Sequence, residues 1–170
     1  MRANQQRPFY LYLAHHSVHI PLESQPDLVE KYRKRIRPDD PQNNPTYAGM
    51  VESVDASVGR VMATLDELEL ADNTVLVFFS DNGGLSVKEG PNTPATSNLP
   101  LRDGKGYLYE GGIREPLIVR WPGVVKPGST CSVPVSSVDF YPTFLEITGR
   151  SPQSGQVIDG ESILPLLKES

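Results

Sequence analysis

The sequence predicts an α/β fold with a largely parallel sheet, and three observations carry that prediction. Two unbroken apolar runs, Phe9–Ala14 and Val75–Phe79, read as buried strands. Between them lies a long segment whose apolar residues recur at helical spacing. Both runs stop at polar clusters, "HHSVH" and "SDNGG", and in open parallel sheets ligands sit beyond the carboxyl ends of the strands. A helix packed between two continuous apolar strands is what α/β layering requires.

The first run opens "RPFYLYLAHHSVHIPL" and leads into a histidine-rich loop. A brief helix is expected around "PDLVEKYRKR", after which "RPDDPQNNPT" interrupts regular structure. The clearest helix is 46–69, with Met50, Val51, Val54, Val58, Val61, Met62, Leu65 and Leu68 on one stripe and Asp55, Arg60, Asp66 and Glu69 off it. Thr46 is the expected N-cap and Asp72-Asn73 the expected stop. Strand 74–79 follows at once. A long segment poor in apolar residues, "LSVKEGPNTPATSNLPLRDGKG", comes next, and a loop of that length in a compact domain is functional or disordered. "EPLIVRWPG" (115–123) is another strand, ended by a Pro-Gly turn. "SSVDFYPTFLEITG" (136–149) is a short amphipathic helix with Pro142 in its first turn and Gly149 as its stop. "IDGESILPLLK" adds one more short helix.

With 170 residues, 38% hydrophobic and 22% charged, the chain has the composition of one soluble globular domain. A net charge of −5 argues against a nucleic-acid partner. No apolar run approaches the ~18 residues of a membrane span. "RANQQRP" after Met1 lacks the apolar core of a signal peptide, so the compartment is not legible there. The single cysteine, Cys131 in "PGSTCSVP", excludes an internal disulfide framework and has no basic neighbour to activate it.

Three clusters could carry chemistry. Asp81 and Asn82 both present oxygen atoms, which suit a hard cation such as calcium or magnesium; an ordinary Asx turn after a strand is the other reading. His15, His16 and His19 do not have a spacing that specifies zinc. A histidine at a strand end can also donate to an anion or a leaving group, or simply face solvent. Lys105, between Gly104 and Gly106, can neutralise a ligand approached by backbone, or stay solvated. The spacing is not that of a nucleotide phosphate loop. The basic run "KYRKRIR" reads as a solvated helix face.

Taken together, "PFYLYLAHHSVHIPL", "NPTYAGMVESVDASVGRVMATLDEL", "TVLVFFSDNGG", "LPLRDGKGYLYEGGIREPLIVRWPG" and "SSVDFYPTFLEITG" resemble the formylglycine-dependent sulfatases of the alkaline phosphatase superfamily, in family order across residues 7–149. The likeness is to arylsulfatases and N-acetylgalactosamine-6-sulfatase-like enzymes. Most specific is "SDNGG" followed, 24 residues after Asp81, by the lysine of "GKGYLYEGGIREP". The resemblance implies an alkaline phosphatase-like α/β/α sandwich, present here as a fragment: one partial domain over 1–170, with its motif-bearing core at 7–149 and a tail at 150–170. It implies sulfate monoester hydrolysis, with Asp81 and Asn82 as calcium ligands, Lys105 contacting the substrate sulfate, and His19 binding near its bridging oxygen. His15 and His16 receive no role. Implied partners are a sulfated small molecule or carbohydrate, in a periplasmic, extracellular or lysosomal setting.

The chain has no C/S-x-P-S/A-R sequence from which the formylglycine nucleophile is made; Cys131 is followed by Ser-Val-Pro. The resemblance places that motif, an Asp-Asp metal pair, and a further lysine and histidine upstream of residue 7. The chain is therefore expected to be inactive alone, and to self-associate through an uncovered sheet edge. Two rivals remain at this point. A two-zinc phosphatase or phosphodiesterase of the same superfamily would carry Asp-His where this chain has Asp81-Asn82. A noncatalytic binding module or truncated pseudoenzyme would need no nucleophile.

Overall fold

In the computed structural model, residues 1–169 are described. The element order is α1 (Pro26–Arg33), α2 (Pro45–Glu67), β1 (Leu76–Phe79), α3 (Glu110–Ile113), β2 (Leu117–Arg120), α4 (Phe140–Ile147) and α5 (Leu164–Glu169), with 3-10 turns at Arg2–Asn4, Ala71–Asn73 and Ser137–Asp139. The residues divide into two compact units: Met1–Ala71 with Asn82–Pro116, and Asp72–Asp81 with Leu117–Ser170.

In the first unit α1 lies against α2, joined by the Lys31 ammonium at 2.6 Å from both Glu52 carboxylate oxygens. Gly49 permits a close approach there, because a Cβ would meet the Ser24 hydroxyl. The N-cap of α2 lies two residues earlier than expected. Asn44, not Thr46, is the N-cap: its Oδ1 accepts from Tyr47 N at 3.0 Å, and Pro45 occupies the first helical position, where no N–H is needed.

The end of α2 also differs from expectation. The stop is a Schellman pair, Glu69 N to Asp66 O at 3.0 Å and Leu70 N to Leu65 O at 2.9 Å, with Glu69 in the left-handed region at φ 56°. Asp72-Asn73 lies beyond it, in a 3-10 turn. Of the predicted stripe, Met50 and Leu65 are fully buried, whereas Val51 and Met62 stay exposed.

The second unit holds the only sheet among the described residues. β1 and β2 pair antiparallel in the register Leu76–Arg120, Val77–Val119, Phe78–Ile118 and Phe79–Leu117. The expected parallel pairing of Phe9–Ala14 is not made within this chain. That segment has no ladder, and Tyr10 and Tyr12 are 73% and 79% exposed. An apolar run reports that a segment wants burial; it does not name the neighbouring strand or its direction.

On one face of the strand pair Phe79 meets Phe140 of α4 edge-on at 5.1 Å, and Phe140 stacks on Phe144. The opposite pair, Phe78 and Ile118, is exposed. α4 is anchored by Asp139, whose carboxylate accepts from Ser136 N and Glu161 N, and by buried Thr143, which accepts from Ile163 N at 2.9 Å. Gly149 closes α4 in the predicted way, at φ 65° with Arg150 N bonded to Leu145 O.

These ends of α2 predict opposite effects on stability. Asn44→Ala should lose about 1 kcal/mol by removing the cap, and Glu69→Gly should gain up to about 1 kcal/mol by relieving a side chain at positive φ. Urea unfolding of both variants checks the pair; equal or reversed signs would contradict the capping assignment.

Candidate functional site

β1 ends at Phe79, and the chain passes through Ser80 to Asp81 and Asn82. Asp81 is exposed and Asn82 half-buried. The following glycines then enter a tight backbone cluster within the first unit. Gly83 N donates to Gly112 O at 3.0 Å, Lys105 N to Gly84 O at 3.3 Å and Gly111 N to Arg102 O at 2.8 Å. A Cβ has no room at three of its glycines. A Cβ on Gly83 would fall on the Gly111 carbonyl, one on Gly104 on the Gly84 carbonyl, and one on Gly111 on the Asp103 carbonyl.

The cluster is organised by Asn98. Its Nδ2 lies 2.9 Å from Gly84 O, 3.0 Å from Gly111 O, 3.1 Å from Asp103 O and 3.1 Å from Ser86 Oγ. Three of these partners are carbonyl oxygens that can only accept, so the amide must point its NH2 group inward. Ser86 adds a bond to Asp103 O at 2.9 Å. From outside, Gln42 grips the segment before Asn98, donating to Ser97 O at 2.6 Å while its Oε1 accepts from Ser97 N and the Thr96 hydroxyl. Tyr47 lies beside Thr96, and burial pushes its phenol above the usual range, with the Glu115 charge acting the same way and the Thr96 hydrogen bond opposing.

From this scaffold Lys105 reaches His19, 86 residues away in sequence, with Nζ 2.8 Å from Nε2. The other ring nitrogen, Nδ1, is 2.7 Å from Ile20 O. A carbonyl only accepts, so Nδ1 carries the proton and Nε2 accepts from the Lys105 ammonium. Lys105 is also paired with Glu89, 3.3 Å from Oε2. An ammonium has three N–H groups, which leaves one for a further acceptor such as an anion oxygen.

Of the predicted residues, His19 and Lys105 are thus brought together. Asn82 is tied to them through the main chain, since Lys105 N bonds the second residue after it. His16 contacts His19, with ring centroids 5.9 Å apart and His16 O accepting from His19 N. Among the described residues no three His, Cys, Asp or Glu side chains are gathered to hold a metal ion. Asp81 and Asn82 offer two oxygen donors, a chemistry that fits part of a calcium shell, the carboxamide oxygen suiting calcium better than zinc. Glu89 and Asn98 were not singled out by sequence; both sit in the long loop after Gly84, whose length was the only signal.

A family model described as Sulfatase matches residues 1–150, so the chain belongs to the sulfatase family. It is 39% identical to a protein named sulfatase from Formosa agariphila, over 99% of this chain and 31% of that protein. It is 37% identical to N-acetylgalactosamine-6-sulfatase from Canis lupus familiaris, over 95% of this chain and 29% of that one. Among solved structures, Ps i-CgsB in complex with k-i-k-neocarrahexaose matches with a TM-score of 0.84 and 36% identity, over 99% of this chain and 35% of that one. The chain therefore spans about a third of the length of these relatives. Its fold is a small α/β portion of the alkaline phosphatase-like fold of the sulfatases.

Asn98→Ala leaves acceptors of the cluster without their donor and should lower stability by about 1–3 kcal/mol. Asn98→Asp sets carboxylate oxygens against carbonyl oxygens and should cost at least as much. Denaturant unfolding reads both; a neutral Asn98→Asp would remove Asn98 from the centre of the cluster.

Proposed function

We propose that this chain forms the sulfate-recognition part of a sulfatase acting on sulfate monoesters of carbohydrates. The observation that carries the reading is the Lys105–His19 contact at 2.8 Å, with the cation carried on a glycine-rich backbone scaffold. Support for a carbohydrate substrate comes from two relatives. One is named for N-acetylgalactosamine 6-sulfate hydrolysis, and the other is seen with a neocarrahexaose.

The chemistry follows from charge. Hydrolysis of a sulfate monoester moves negative charge onto the departing alcohol oxygen. Lys105 binds sulfate oxygens through its remaining N–H, and its fixed position avoids reorganisation as that charge develops. The proton shared between Lys105 Nζ and His19 Nε2 is the one this pair can pass to the leaving oxygen. Asp81 and Asn82 would hold calcium, which when bound supplies further electrostatic stabilisation of the sulfate oxygens. Two oxygen donors favour calcium over the two-zinc chemistry of phosphatase-type relatives.

The nucleophile implied by family membership is a formylglycine, and these 170 residues contain no sequence from which it is made. The chain alone therefore binds sulfate esters without turning them over. Its setting is periplasmic, extracellular or lysosomal; among the described residues no helix is long and apolar enough to cross a membrane. The exposed Phe78–Ile118 face and the Phe9–Leu13 segment would drive self-association of the chain in isolation.

The test is binding of p-nitrophenyl sulfate to the purified chain. Lys105→Ala and His19→Ala should each weaken it, Lys105→Ala by about 10-fold, the effect of losing one charged hydrogen bond. Calcium should tighten binding to the wild type and not to Asp81→Ala. No p-nitrophenol should be released. Turnover by the isolated chain, or binding indifferent to Lys105, would contradict the reading.

A further inference from the structure

The Glu89 carboxylate stands beside the ammonium proposed to hold the sulfate, 3.3 Å (Oε2) and 3.4 Å (Oε1) from Lys105 Nζ. Its position is built. Glu89 N and Gly90 N both donate to Thr93 Oγ1, at 2.9 and 3.0 Å, and that hydroxyl donates to Gly90 O at 2.7 Å. The base of the same loop is closed by Ala95 N to Leu85 O at 2.8 Å, between two buried side chains. The Lys105 side chain is 22% exposed and that of Glu89 41%, so the two charges meet at short range in a partly screened setting.

A carboxylate in this place opposes anion binding, and the opposition depends on the anion's charge. With an imidazole whose Nε2 accepts, the formal charge of Lys105, His19 and Glu89 together is zero. A ligand then binds through hydrogen bonds to Lys105 and gains little from carrying a second negative charge. With Glu89 neutralised the group is +1, and each added charge on the ligand is rewarded. A sulfate monoester carries one charge; inorganic sulfate and, near neutral pH and above, phosphate monoesters carry two.

We propose that Glu89 is a charge-selectivity residue, holding the Lys105–His19 subsite to singly charged sulfate monoesters and against phosphate monoesters and the released inorganic sulfate. The inference rests on the reading of Lys105 and His19 as the sulfate subsite. Glu89 acts through Lys105 and is a positioning residue, with Thr93 fixing the turn that presents it.

The experiment compares p-nitrophenyl sulfate, p-nitrophenyl phosphate and inorganic sulfate binding to the 170-residue chain at mildly alkaline pH. Glu89→Gln should tighten the two doubly charged ligands about 2- to 5-fold relative to p-nitrophenyl sulfate, the size of one partly exposed ion pair. Glu89→Asp, which keeps the charge, should restore most of the wild-type ratio. Collapse of the loop would weaken all three ligands together and leave their ratio unchanged, which counts against the proposal. If Lys105→Ala weakens all three while Glu89→Gln leaves the ratio at its wild-type value, Glu89 is not selective and the subsite stands. If Lys105→Ala changes none of them, the subsite and the proposal fall together.

Discussion

The Asn98 carboxamide is the interaction on which the candidate site depends. One NH2 group spans Gly84, Asp103 and Gly111, so the segment that follows Asp81-Asn82 is locked to the segment that carries Lys105. Backbone can approach backbone this closely only because glycine stands at 83, 104, 111 and 112. Remove that donor and the Lys105 main chain loses its reference. Lys105 would then be a solvated lysine in a glycine-rich turn, and His19 a loop histidine. The glycines and Asn98 thus convert two unremarkable side chains into one fixed pair.

Packing energetics set a second constraint. The chain exposes 12,085 Å², more than the ~9,900 Å² that two free-standing units of these sizes would show. Large apolar side chains stand exposed at identifiable places: Phe9–Leu13, Val51 and Met62 on α2, and the Phe78–Ile118 face of the strand pair. These are runs whose sequence calls for burial on both sides. Their exposure agrees with a chain that spans about a third of the sulfatases it resembles. The well-connected parts are local, α1 on α2 and the Asp139–Thr143 anchor of α4.

Legibility in the sequence followed the range of the physics involved. α2, β1, β2 and α4 were readable because periodicity and Schellman or proline signals act over a few residues. Strand pairing was not, since the apolar run at Phe9–Ala14 carries no information about which backbone satisfies it. The cap moved from Thr46 to Asn44 because Pro45 can start a helix and Thr46 cannot cap past it. At the site, the family resemblance pointed to His19 and Lys105, and the structure brings the two side chains into contact. Glu89, Thr93 and Asn98 were invisible beforehand. A long-range role for a single loop Glu or Asn leaves no local pattern to read.

The central claim is that the Lys105 ammonium donates to a neutral His19 held by the Ile20 carbonyl. Long-range 1H–15N correlation of the His19 ring in the purified chain tests it most directly. The account predicts the minor histidine tautomer in solution, with the proton on Nδ1 and a bare Nε2, converting to the ordinary Nε2–H form in Lys105→Ala. A wild-type ring already in the Nε2–H form, or unmoved by Lys105→Ala, would contradict it.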